Sequence, residues 1–115
     1  MENRGLNAYM IQEILDNARM IDERIKEFDI DHDKYANGTL YQDMLTMPML
    51  RICEIVAKYK DDFKEIEPDY PWDEVAKMRS KIAHPYGGFN FFFVWGAIQD
   101  DLSDIVRICE KCLEV

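Results

Sequence analysis

The sequence has no apolar run long enough to cross a membrane. A membrane-spanning helix needs about 18 or more consecutive apolar residues, and charged residues, 32% of the chain, interrupt every apolar stretch well before that length. The opening segment MENRGLNAYMIQE also lacks the apolar centre of a signal peptide. We therefore expect no membrane partner and a cytoplasmic location.

Cysteine is scarce, and the three residues present are an odd number, which argues against a disulfide framework. Cys109 and Cys112 form one C-x-x-C pair, but no second Cys or His pair lies at the spacing of a zinc site. The two thiols fall three residues apart in a helical pattern, so we expect them to face the core as small packing residues. The sequence predicts no metal and no cofactor.

Positive charge is also in short supply. Fourteen Lys and Arg residues stand against 23 Asp and Glu residues, for a net charge of −9. An acidic surface repels nucleic acid at long range. This excludes a general DNA-binding role, and any RNA function must depend on a local site or on a partner that supplies positive charge.

Apolar residues recur at three- and four-residue spacing and predict an all-α fold. The 115 residues suit a single domain, 1–115. Four helices are predicted, over 7–28, 39–66, 72–83 and 91–113. Pro48 should kink or restart the second helix, and Asn90 should cap the last one. Short connections favour an up-and-down antiparallel four-helix bundle with a short third helix.

The segment DIDHDKYANGTL between the first two helices places Asp29, Asp31 and Asp33 at the first three ligand positions of a calcium loop. Its sixth position is Lys34 rather than Gly, and its twelfth is Leu40 rather than Glu. We interpret it as a solvated loop that breaks at Asn37-Gly38, with His32 exposed and inert.

The segment MRSKIAHPY at the end of the third helix has one unexpected placement. On a wheel of 100° per residue with Trp72 at 0°, Arg79 falls at about 340°, inside the apolar face. Its stem could cover apolar surface while its head stays in water. Alternatively, the guanidinium is held at the edge of the core and points at an anion, either Glu54 or a phosphate.

His84 directly precedes Pro85, so it should lie at or just past the helix end. One interpretation is a cation that interacts with the helix dipole. The other is a general acid or base, because imidazole titrates near neutral pH.

These residues carry a family resemblance. Arg79-x4-His84-x-Tyr86 resembles the R-x4-H-x-Y signature of the HepT-like branch of the HEPN superfamily. The flanking segments YPWDEVAKMRSKIAHPY, FVWGAIQDDLSDI and LRICEIVAKY, the last with its Glu54, also resemble that branch, and Trp72 and Trp95 are in register.

The resemblance implies a four-helix, homodimeric, metal-independent endoribonuclease toxin whose RNA site is a cleft at the dimer interface. His84 would then deprotonate the ribose 2′-hydroxyl or protonate the leaving oxygen, and Arg79 would hold the phosphate. Tyr86 would be the hydroxyl that a cognate minimal nucleotidyltransferase antitoxin adenylylates, which would silence the toxin.

Three departures leave an alternative open. Ser80 follows the arginine where this branch often has asparagine, Pro85 stiffens the segment between His84 and Tyr86, and the net charge of −9 is a poor setting for RNA. The alternative is a non-catalytic helical subunit that docks on a minimal nucleotidyltransferase and helps bind nucleotide or substrate. The aromatic segment FNFFFVW could form a platform for bases, but helical spacing favours core and dimer interface.

Overall fold

The computed structural model describes residues 5–84 and 88–114, and for His84 it describes the backbone only. Its elements are α1 (Ala8–Phe28), α2 (His32–Asn37), α3 (Thr39–Lys58), α4 (Lys60–Ile66), α5 (Trp72–Ile82), β1 (Ala83–His84), β2 (Gly88–Phe89), α6 (Phe91–Asp100) and α7 (Leu102–Leu113). The two strands form a short antiparallel hairpin.

The long helices form the predicted all-α bundle. Helix α1 packs against α3 and α7, and α3 packs against α5 and α6. The core consists of the apolar stripes of these helices, with fully buried side chains including Ile14, Ile21, Leu45, Ile52, Ile105 and Ile108. The fold class is therefore confirmed, with α3 and α4 in place of one predicted helix and α6 and α7 in place of another.

The segment after α1 is not the loop that the sequence predicted, because it contains the short helix α2. Asp29 ends α1 in the left-handed conformation, with φ at 51°, which Asp tolerates better than most residues. The Asp31 side chain accepts a hydrogen bond from the Lys34 N–H and caps α2. Tyr35 is buried under this turn, whereas His32 is exposed as expected.

Helix α3 continues through Pro48, so of the predicted kink or restart the restart does not occur. A proline cannot donate to the carbonyl four residues earlier, which here belongs to Met44. The Arg24 guanidinium of α1 donates to that carbonyl instead, at 2.6 Å from Nη1 to the oxygen. The helix ends at Lys58, where neither glycine nor proline marks a boundary.

Helix α5 is anchored at its start by aromatic packing. The rings of Phe63 and Trp72 stack with centroids 4.7 Å apart, and both side chains are fully buried. Trp72 Nε1 donates to the Glu67 carbonyl at 2.8 Å, so the indole is satisfied as well as packed. Tyr70 packs on Trp72 and donates to the Asp101 carboxylate at 2.6 Å.

The remaining predictions about local features have clear outcomes. The Asn90 side chain caps α6 as predicted, accepting from the Phe92 N–H at 3.1 Å. Cys109 is buried and Cys112 is partly buried, both as free thiols. Within the described ranges, no helix is long and apolar enough to cross a membrane.

Candidate active site

Arg79 lies in the last turn of α5, and its side chain is 57% exposed, although the wheel placed it inside the apolar face. Val75 and Ile82, both buried, lie at about 300° and 280° on that wheel, and the equally buried Trp72 lies at 0°. Arg79, at about 340°, thus falls between Val75 and Trp72 on the buried face, while its side chain extends away from it into solvent. The exposed guanidinium agrees with the interpretation that its head stays in water, and Glu54, the anion named in the other interpretation, lies next to it.

The Arg79 guanidinium faces Glu54 across the groove between α3 and α5. Arg79 Nε lies 3.9 Å from Glu54 Oε2, and the Glu54 side chain is 48% exposed. A pair this long and this exposed contributes about 0–1 kcal/mol to stability. The contact with Glu54 therefore leaves the guanidinium accessible, and the guanidinium can still bind a second anion.

Lys58 joins this groove, and sequence inspection did not single it out. Glu54, Ala57, Lys58 and Arg79 line a cleft of about 370 Å³. Lys58 follows Glu54 by four residues, so both lie on one face of α3; that spacing was the signal available in the sequence. Two cations at one cleft give an otherwise acidic chain a local site for an anion.

The backbone turns sharply directly after α5. Helix α5 ends at Ile82, and His84 lies in β1 just past the helix end, as its position before a proline predicted. Ala83 pairs with Phe89 and His84 pairs with Gly88. Gly88 has φ at 80°, a conformation that glycine adopts without strain. The hairpin therefore fixes the His84 backbone one helical turn beyond Arg79.

The other predicted site residues are described only in part. Ser80 is exposed beside Arg79 on α5. Tyr86 lies outside the described residues, and so does the side chain of His84, so their placement relative to Arg79 stays a prediction. No group of three or more metal-ligating side chains occurs within residues 5–84 and 88–114.

Behind the hairpin lies a second concave surface, which we call the aromatic cavity. It has a volume of about 320 Å³ and is lined by five aromatic side chains, Tyr35, Phe89, Phe91, Phe92 and Trp95. Gln42, Asn90 and His32 add polar groups to its lining. The FNFFFVW segment therefore lies partly in the core and partly at the surface. Val94 is buried in the core, whereas Phe92 is 81% exposed.

Burial at the base of this cavity has a measurable consequence for Tyr35. Its hydroxyl donates to the Phe91 carbonyl at 3.1 Å. Burial raises the pKa of Tyr35 to about 12, although a hydrogen bond with Thr46 opposes the change. The phenol therefore stays protonated at neutral pH and acts as a structural hydrogen-bond donor.

The profile of a known protein family matches most of the chain. The match covers residues 11–112, and the family is described as ribonuclease HepT-like. The chain belongs to this HepT-like ribonuclease family. The match spans α1 to α7 and includes both the Arg79 cleft and the hairpin.

Individual relatives agree with the family match. A protein of Methanocaldococcus jannaschii, provisionally named an RNase, is 27% identical over 114 residues, which are 96% of this chain and 98% of the relative. A Thermococcus cleftensis protein, provisionally named ribonuclease HepT, is 31% identical over 88 residues, which are 69% of this chain and 80% of the relative. No solved structure matches the chain significantly. This HepT-like chain thus resembles ribonucleases over nearly its whole length.

Proposed function

We propose that this protein is a metal-independent endoribonuclease toxin whose site is built on Arg79 and His84. The observation that carries the proposal is the accessible guanidinium of Arg79 at the cleft it shares with Glu54 and Lys58, in a chain of the ribonuclease HepT-like family. An arginine that binds substrate has to be reachable, and the Arg79 side chain is 57% exposed. Arginine also suits the phosphates of RNA, because its planar fork can donate two parallel hydrogen bonds.

The proposed reaction uses the ribose of the substrate as its own nucleophile. The 2′-hydroxyl loses its proton and its oxygen attacks the adjacent phosphorus, while the bond from phosphorus to the 5′-oxygen breaks and that oxygen gains a proton. His84 removes the first proton or supplies the second, since imidazole exchanges protons near neutral pH. Arg79 binds the non-bridging oxygens and stabilises the charge that builds up there.

The proposed regulation acts on Tyr86, the third residue of the motif. In this proposal a minimal nucleotidyltransferase antitoxin transfers the adenylyl group of ATP to the Tyr86 hydroxyl: the hydroxyl loses its proton, its oxygen bonds to the α-phosphorus, and the bond to the β-phosphate breaks, so pyrophosphate leaves. The modification would add bulk and negative charge next to the cleft and would repel the RNA backbone. Two copies of the chain would form a homodimer and bring two such sites into one cleft.

The test is cleavage of single-stranded RNA by the purified protein in the presence of EDTA. We expect Arg79→Ala and His84→Ala to lower the cleavage rate at least about 100-fold, the scale typical of removing a charge-stabilising or proton-transferring group. Arg107→Ala is the matched control, because Arg107 is 59% exposed and pairs with Asp104 at 3.6 Å, almost as Arg79 pairs with Glu54. Equal cleavage by all four proteins would contradict the catalytic assignment.

The same variants distinguish the proposed nuclease from the alternative, a non-catalytic docking subunit. A nuclease should be toxic on expression and lose its toxicity with Arg79→Ala or His84→Ala, and Tyr86→Phe should keep toxicity while escaping the antitoxin. The net charge of −9 favours the alternative, in which the chain docks on a nucleotidyltransferase and cuts nothing. In that case expression would be harmless with or without Arg79 and His84.

A further inference from the structure

The exposed face of α3 carries a cation on each side of the contact between Glu54 and Arg79. Arg51 and Lys58 are both exposed and are seven residues apart, so they lie within about 20° of each other around the helix axis. Along that axis Arg51 precedes Glu54 by about 4.5 Å, and Lys58 follows it by about 6 Å. Arg79 reaches α3 from α5 at Glu54. Arg51, Arg79 and Lys58 therefore follow one another along α3, and we call these three residues the cation row.

The two cations that α3 contributes to the row are available to an anion from outside the protein. Several exposed cations elsewhere pair with a carboxylate, as Lys26 does with Asp22 at 3.0 Å. Within the part of the chain that the structure describes, Arg51 and Lys58 form no such ion pair. The row sets three positive charges against the carboxylate of Glu54, in a chain whose net charge is −9. It is therefore a local surface that can attract a polyanion.

The cation row has a defined length. Met47, one turn before Arg51 on the same face, is 56% exposed and offers no charge. At the other end α3 stops at Lys58, and the next cation, Lys60, is paired with Asp73 at 3.2 Å. From Arg51 to Lys58 the helix rises about 10.5 Å, which is about three steps of a stacked strand at about 3.4 Å per nucleotide. The row thus matches a few consecutive phosphates of one strand.

The surface between these cations suits a phosphate backbone better than a protein partner. Between Arg51 and Lys58, only Glu54 has an exposed side chain, because the other residues of that stretch are buried or half-buried. Protein interfaces are built around a buried apolar core, and this stretch of α3 exposes no large apolar side chain. Contacts to nucleic-acid phosphates, in contrast, need only charged or polar donors.

We propose that Arg51 and Lys58 bind the RNA phosphates on either side of the phosphate held by Arg79, so that the strand lies along the exposed face of α3. This inference rests on the proposed function for the identity of the strand, and it adds to that function the residues that position the strand. Phosphate contacts carry no sequence information, so the row should bind single strands irrespective of their base sequence.

The test measures binding to an RNA that cannot be cleaved. A fluorescent 2′-O-methyl RNA of about ten nucleotides lacks the nucleophilic 2′-hydroxyl but keeps every phosphate, and its anisotropy gives the dissociation constant. For single strands, each phosphate that the protein neutralises contributes about −0.7 to the slope of log affinity against log salt concentration. Three phosphate contacts should therefore lower the affinity by at least about 18-fold between about 50 and 200 mM salt.

Arg51→Gln and Lys58→Gln should each remove one phosphate contact. Each substitution should make the loss of affinity over this salt range smaller by a factor of about 2.6, and the double variant by about seven-fold. Arg107→Gln and Lys26→Gln are the matched controls, because they remove an equally exposed positive charge, at 59% and 76% exposure, from other helices. They should leave the salt dependence unchanged, and urea unfolding should be the same for all four variants because every substituted side chain is exposed.

Cleavage kinetics provide a second readout. A phosphate next to the reacting one is bound equally in the ground state and in the transition state. Arg51→Gln and Lys58→Gln should therefore raise KM and leave kcat within about two-fold of the unsubstituted protein. Arg79→Ala should instead lower kcat, because its contact strengthens as charge builds up on the reacting phosphate.

Three outcomes would overturn the proposal. An unchanged salt dependence in either Arg51→Gln or Lys58→Gln would remove that residue from the strand path. An equal change in Arg107→Gln and Lys26→Gln would attribute the effect to the net charge of the protein. Tighter binding of an acidic peptide of the same charge would identify a protein as the occupant. Absence of RNA cleavage, with the expected salt dependence intact, would contradict only the proposed nuclease.

Discussion

The two ends of α5 differ in almost every physical respect. At the anchored end, formed by Phe63, Tyr70 and Trp72, aromatic rings are stacked and the polar atoms are hydrogen-bonded within the protein. At the hairpin end, formed by Arg79, β1, β2 and Phe92, the side chains of Arg79 and Phe92 extend into solvent. The first turn of α5 is thus fixed by aromatic packing, and its last turn carries the candidate functional group Arg79. Substitutions in the first turn should therefore affect stability, and substitutions in the last turn should affect RNA cleavage.

The largest effect on stability is expected at the anchored end. Trp72→Ala removes a fully buried indole and should lower the free energy of unfolding by about 3–5 kcal/mol, from lost burial and the cavity left behind. Urea unfolding followed by circular dichroism measures this change. Trp72→Phe, which keeps an aromatic ring but loses the bond to the Glu67 carbonyl, should cost less, and a loss below about 1 kcal/mol for Trp72→Ala would show that the anchor lies elsewhere.

A smaller and pH-dependent effect is expected where the hairpin end meets the core. Tyr35→Phe loses the hydrogen bond to the Phe91 carbonyl, worth about 1 kcal/mol at neutral pH. The pKa of Tyr35 is raised from 10.0 to about 12 in the folded state, so the unfolded chain loses this proton first as the pH rises. Stability of the unsubstituted protein should therefore fall between pH 10 and 12.

The Tyr35→Phe protein lacks that phenol and should lose less stability over the same pH range, so the two unfolding curves should converge. Urea unfolding at pH 7 and at two pH values near 10 and 11 measures the difference. If the two proteins differ in free energy of unfolding by the same amount at all three pH values, the fold does not protect the Tyr35 hydroxyl from ionisation.

The smallest effect on stability is expected at the hairpin end itself. Arg79→Ala removes only an exposed pair with Glu54 and should change the free energy of unfolding by less than about 1 kcal/mol. Together with the large loss of cleavage expected for the same variant, this would separate function from stability within one helix. A loss of several kcal/mol would mean that Arg79 supports the fold, and the comparison of the two ends would fail.

Features encoded over a few neighbouring residues could be predicted from the sequence. The Asn90 cap depends on one side chain and one N–H two residues later. The helix end before His84 was predicted from the proline that follows it in the sequence. The breaks at Tyr59 and Asp101 were not predicted, because no glycine or proline marks them in the sequence. The helix α2 was missed because its burial of Tyr35 against Phe91 and Trp95 joins segments more than 50 residues apart.

The candidate site likewise has parts that the sequence could predict and parts that it could not. The motif identifies Arg79 and His84, because family resemblance is a property of the sequence. The wheel places Arg79 on the buried face, between Val75 and Trp72, but it cannot show that the long side chain reaches solvent from there. The aromatic cavity could not be predicted, since its lining comes from α2, α3, β2 and α6 and requires the tertiary structure.

The bond from Arg24 to the Met44 carbonyl makes α3 dependent on its neighbour. A helix interrupted by Pro48 lacks one backbone bond in its middle, and here a side chain of α1 supplies the replacement. The central turns of α3 are therefore not a self-contained folding unit, because their hydrogen bonding is complete only after α1 has docked. In local opening reactions α1 and the middle of α3 should separate from the rest of the bundle together, as one cooperative unit.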